Sequence, residues 1–187
     1  MSHHVPAHST PTASFEVPLE MLAACHLRVQ AQNQTLQRLV QHLAAHGADR
    51  QAREAAVAVM RYFDSAARHH HEDEEVDLFP ALLESMAGSD AVCLRELTAA
   101  LAADHRALEL QWYQLRRVLE RVADGAEATL SFDAVQAFIG RYERHIAREE
   151  SELLPLAARL LDETALDRIG QAMRARRGVT VDDATDA

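Results

Sequence analysis

Hydrophobic residues recur every three to four positions along four long stretches of this chain, the repeat expected when one face of an α-helix is buried. The first stretch, 19–46, carries Leu19, Leu22, Val29, Leu36, Val40 and Leu43 in phase and stops at Gly47, a residue suited to a helix C-terminus. The second, 50–87, aligns Val59, Met60, Phe63, Ala67, Leu78 and Ala81. Gly88, Ser89 and Asp90 break it and offer capping side chains to the third, 91–123, which runs through Leu94, Leu97, Leu101, Leu108, Trp112, Leu115 and Val118 before Asp124 and Gly125 end it. The fourth, 132–161, follows Ser131 as N-cap and aligns Val135, Phe138, Tyr142, Leu153 and Leu156. Short links make successive helices antiparallel. The pattern predicts an all-α fold, an antiparallel up-down four-helix bundle over 18–162 with a short fifth helix at 163–177, after Asp162 as its cap. Residues 1–17, mixed in Ser, Thr, Pro and His without periodicity, read as a flexible N-terminal arm, and 178–187 as an acidic tail.

Six polar side chains fall on these apolar stripes: His26, His70, Glu74, His105, His145 and Glu149. A carboxylate in a bundle core is costly unless it is paired, protonated or bound to a metal. Their arrangement repeats. The phrase H-x-x-x-E-E-x-x-L-x-P begins at His70 and again at His145, and L-A-A-x-H precedes each copy, ending at His26 and at His105. First and second histidines stand 44 residues apart in one copy and 40 in the other. The chain therefore reads as an internal duplication, about 19–87 and 91–161, each copy supplying two histidines and a glutamate. A His and a Glu four apart share one helix face, and imidazole with carboxylate suits divalent iron, zinc or manganese. Four imidazoles and two carboxylates make an inner shell for two metal ions. Pro80 and Pro155 each lie six residues after the motif glutamate, where each is expected to free a carbonyl and kink its helix.

Composition narrows the partners. Net charge is −10, which argues against nucleic acid, since phosphate binding needs clustered Lys and Arg. No window approaches the length of apolar sequence that spans a bilayer, and residues 1–14 lack a signal-peptide core. Cys25 and Cys93, far apart and outside any CxxC pair, point to reduced thiols and a cytoplasmic setting.

The other candidates take blander roles. His3, His4 and His8 lie in the arm, and His42 and His46 near a helix end face the C-terminal dipole or water. His69 and His71 flank His70 and are placed around the site or in solvent. Glu75 and Glu150 point about 100° away from the ligand face, toward the surface or the surroundings of the site. Glu109, one turn after His105, is a peripheral candidate with no counterpart after His26, where Gln30 stands.

On the paired motifs and the lone histidine ahead of each, the chain resembles the hemerythrin-like (HHE cation-binding) family over about 19–161. The resemblance implies a non-haem centre of two iron ions with an oxo or hydroxo bridge. His26, His70, His105 and His145 would be terminal ligands and Glu74 and Glu149 bridges, with zinc or manganese as other metals the site could take. The family's oxygen carriers have a further histidine where Leu101 stands here, and end on an Asp five residues past the last His, whereas Glu149 is four past His145. The pattern is closer to the four-His, two-Glu members, which include proteins of iron-centre repair and nitric oxide chemistry. The implied function is binding or sensing of O₂ or NO. The alternatives are a di-iron enzyme or repair protein, acting on NO or peroxide or donating iron to damaged clusters, and a structural zinc bundle.

Overall fold

The computed structural model describes residues 14–86 and 90–179. Helix α1 (Pro18–His46) starts on a proline whose missing N–H falls in the first turn. It ends at Gly47, whose φ of 67° lets its N–H turn back to the Leu43 carbonyl. The second rod comprises α2 (Arg50–Asp64), α3 (Ala66–Glu72), a π-helical turn (Asp73–Leu78) and α4 (Phe79–Ser85). The third is α5 (Asp90–Ala123). The fourth comprises α6 (Phe132–Arg148), a second π turn (Glu149–Leu153) and α7 (Leu154–Leu160), and α8 (Glu163–Arg176) closes the described fold. Ser131 and Asp162 cap α6 and α8 as their sequence positions suggest, accepting from Ala134 N–H at 3.3 Å and Ala165 N–H at 2.8 Å. The cap expected at 88–90, the arm histidines and the tail beyond Val179 lie outside the described residues.

The rods form a ring in which α1 packs on α2, α2 on α5, α5 on α6, and α6 back on α1. The fold is an all-α four-helix bundle with a short C-terminal helix. Helix α8 lies against α1 and the first π turn. Among the described residues no helix is long and apolar enough to cross a membrane.

Two irregularities set this bundle apart from four plain helices. The second rod breaks at Ser65 (φ −127°, ψ −76°), where the hydroxyl donates to the Arg61 carbonyl at 2.6 Å in competition with the helical ladder. The prolines do not simply kink their rods. Each follows a widened turn, because its ring would crowd the carbonyl four residues back and it has no N–H to give. The widening begins at the motif glutamates themselves. Phe79 N–H donates to the Glu74 carbonyl and Leu154 N–H to that of Glu149, each spanning five residues.

The interior is divided. One apolar cluster joins Val29, Leu36, Phe63, Leu115, Phe138 and their neighbours; the other joins Leu22, Leu78, Leu101, Leu153 and Met173 with theirs. Between them, along all four rods, runs a layer of buried polar side chains.

Candidate metal centre

That layer holds the six residues read from the sequence. His26 comes from α1, His70 from α3, His105 from α5 and His145 from α6, while Glu74 and Glu149 stand in the two π turns. None is more than 2% exposed. The structure brings them into two donor groups, His26–His70–Glu74–Glu149 and His105–His145–Glu74–Glu149, each with ligand atoms within 4.8 Å of one another. Each half of the chain thus supplies the two histidines of one group, and both glutamates belong to both groups.

His105 Nε2 and His145 Nε2 share a hydrogen bond at 3.1 Å, but the close approach of histidines to glutamates is not hydrogen bonding. His26 Nε2 lies 2.9 Å from Glu149 Oε2, His145 Nε2 2.8 Å from Glu149 Oε1, and His105 Nε2 3.2 Å from Glu74 Oε2. Yet both oxygens of each glutamate and His26 Nε2 are buried without an aligned hydrogen-bond partner. Atoms that crowd together while aiming past one another are directed at common points between them. So many unsatisfied polar atoms would cost on the order of 1–3 kcal/mol each. Cations at those points remove the cost, so the donor set fits two metal ions.

The second glutamate of each E-E pair has a job of its own. His105 Nδ1–H donates to Glu75 Oε1 at 2.7 Å, and His26 Nδ1–H donates to Glu150 Oε1 at 3.0 Å. The arrangement is reciprocal, each half orienting the lone histidine of the other. With Nδ1 holding the proton, Nε2 is left as a lone pair facing the interior. Arg106 pairs with Glu75 and holds it in place.

Electrostatics favour the same reading. Burial pushes His70 down to about 3 and His105 to about 4, keeping both imidazoles neutral and able to ligate. Burial, reinforced by the neighbouring Glu149 charge, pushes the Glu74 carboxyl well above its usual range. Burial opposes the charge on Glu149 too, but the imidazoles of His145 and His26 outweigh it and hold that carboxyl low. Without cations the pair cannot both ionise; with them it can.

Of the remaining candidates, Glu109 is exposed and faces Arg106 at 3.8 Å, away from the cluster. His42 reaches Asp49, the cap of α2, at 3.0 Å. His71, read from the sequence as lying around the site or in solvent, lies beside it. It is buried, its ring stacks on His105 with centroids 4.0 Å apart, and its ligand atom lies within 4.8 Å of those of His105 and His145. The only signal in the sequence was its place next to His70. His71 also lines a cavity of about 570 Å³ walled by Phe63, Leu108, Trp112 and Tyr142.

Fold and site together define a helical-bundle protein of the cation-binding kind. Over residues 17–157 the chain matches the hemerythrin HHE cation binding domain, and it belongs to that family. A Haemophilus influenzae protein described as uncharacterized is 32% identical over 167 residues, which is 89% of this chain and 94% of that protein.

Proposed function

We propose that this chain holds two iron ions and binds or senses a small diatomic, O₂ or NO, at them. His26 and His70 serve one ion, His105 and His145 the other, and Glu74 and Glu149 bridge the two. One observation carries the reading: two histidine pairs, one from each half of the chain, share the same two carboxylates. Two metals held by common bridges are electronically linked, which a pair of isolated zinc sites does not need.

Iron would supply redox change and positions open to a small ligand. The chain's own residues do the rest. Glu75 and Glu150 fix the tautomers of His105 and His26. The two apolar clusters keep bulk water from both ends of the layer. The cavity ending at His71 favours a second reading, an enzyme that reduces NO or peroxide at the same ions, because reactant and product need a path to the surface.

Metal content and the optical spectrum of the purified protein test this. Two irons per chain and a near-ultraviolet band that bleaches on reduction are expected. Reversible return of the band with O₂, or a stable NO adduct, supports binding; steady consumption of NO or peroxide supports the enzyme. Two zinc ions without such a band would overturn both.

A further inference from the structure

We infer that the cavity beside the break in the second rod binds a neutral, flat aromatic molecule carrying a hydroxyl group, of the phenol or naphthol class. Its ring lies against Trp112 and its hydroxyl at His71. This organic ligand is additional to the diatomic proposed above, and the inference does not depend on the metals.

The cavity is larger than a diatomic needs. It holds about 570 Å³, inside the roughly 300–1,000 Å³ range of small-molecule sites. A diatomic needs little more than the share of one water, about 30 Å³. The space opens where the second rod breaks at Ser65. Phe63 and Asp64 line it from one side of the break, and Ala67, Arg68 and His71 from the other. Ala67 makes the room. It stands three residues before His70 as Tyr142 stands three before His145, so the first copy has a methyl group where the second has a phenol ring.

The walls select the shape of the occupant. Trp112 is held by its Nε1–H, which donates to Asp64 Oδ1 at 2.9 Å, and its ring packs on Phe63 with centroids 4.8 Å apart. Phe63 and Tyr142 are buried beside it. A fixed aromatic surface of this kind favours a flat, apolar ring.

Charge at the mouth argues against an ion. Arg68 and Arg116 are matched there by Asp64 and Glu109, and each already faces a partner. Arg116 Nε reaches Asp64 at 2.8 Å, Arg68 faces Glu72 at 3.6 Å, and Glu109 faces Arg106 at 3.8 Å. A carboxylate or an amine therefore meets no unanswered charge. At the inner end stands His71, 6% exposed, and its hydrogen-bonding capacity is unspent: Nε2 has no partner. A neutral imidazole gives one hydrogen bond and accepts another, and so does a hydroxyl. His71 in turn stacks on His105, so the occupant lies one ring away from the candidate metal centre.

Equilibrium dialysis of the full-length protein against β-naphthol, naphthalene and β-naphthoate tests the assignment. The emission of Trp112, the chain's one tryptophan, locates the site. Expected is one β-naphthol per chain, quenching Trp112 almost fully, with naphthalene and β-naphthoate each weaker by about tenfold. In His71→Phe the preference for β-naphthol over naphthalene should shrink to less than about threefold. Three results overturn the assignment: no β-naphthol binding up to its solubility, binding that leaves Trp112 emission unchanged, or naphthalene or β-naphthoate binding as tightly as β-naphthol. A folded His71→Phe that keeps the full preference overturns it too, since the hydroxyl then lies elsewhere. If His71→Phe does not fold, the wild-type ranking and the Trp112 emission decide alone.

Discussion

Within the E-E pair, adjacent glutamates do different work because a helix turns about 100° between them. Glu74 and Glu149 point into the layer, while Glu75 and Glu150 point at the neighbouring rod and meet the Nδ1 atoms of His105 and His26. A carboxylate behind a ligating imidazole raises its basicity and fixes its orientation, and losing such a partner costs about 10–100-fold in metal affinity. Glu75→Ala is therefore expected to weaken binding on the His105 side by about that factor, and Glu150→Ala on the His26 side. Titration against a chelator of known affinity, one variant at a time, checks this. Unchanged affinity in both would mean that Glu75 and Glu150 do not orient the histidines they touch. Helical phase alone picked out the six buried residues, because each sits where an apolar residue was due. It could not choose for Glu75 between water and a histidine across the interface. That depends on which rod lies alongside, and so does the burial of His71.

Among the elements, the informative departures lie where backbone and side-chain demands collide. Recurrence of Pro80 and Pro155 pointed to a distortion, but its form was not legible. The extra residue of a π turn appears as no compositional change, only as bonds from Phe79 and Leu154 back to the glutamates. The break at Ser65 was missed for a related reason, since serine is unremarkable inside a helix until its hydroxyl takes the carbonyl of the turn before. The first π turn is also where α8 is fastened. Asp73, fully buried and next to Glu74, accepts from both Arg176 and Arg177, and Arg176 also reaches Asp77 at 2.7 Å. Removing both arginines strands a buried charge, a change that costs about 3–5 kcal/mol for a buried pair, and the low end applies here because the arginines keep some exposure. Arg176→Ala/Arg177→Ala should lose about 3 kcal/mol in urea denaturation, and adding Asp73→Asn should recover part of it. If the triple variant is no more stable than the double, the buried carboxylate is not the cause.

At the scale of the whole molecule, the polar layer makes stability depend on metal and on protons together. Two apolar clusters, one at each end, should keep the bundle folded after chelation, though less stable, since ions that bind only the folded state stabilise it by mass action. In the stripped protein, burial holds His70, His71 and His105 below the ordinary histidine value, so unfolding releases them to take up protons as pH falls below about 6.5. Glu74 works the other way. Its raised value means that it holds a proton in the folded state and gives it up on unfolding, down to the ordinary carboxylate range near 4.5. Three histidines against one carboxyl leave a net proton uptake on unfolding between about pH 6.5 and 4.5. Stability of the stripped protein should therefore fall as pH drops across that window. Above it His26, raised against its burial by Glu149 and Glu150, and Glu74 hold protons that unfolding releases, so stability should also decline as pH rises past about 6.5. Urea midpoints at half-unit pH steps, with and without metal, measure it. The metal-loaded protein should hold its midpoint to lower pH and then lose it steeply, as protons displace the ions from the imidazoles. A flat profile for the stripped protein from 6.5 to 4.5 would mean that water enters the layer once the metals leave, and that the apolar clusters do not seal it.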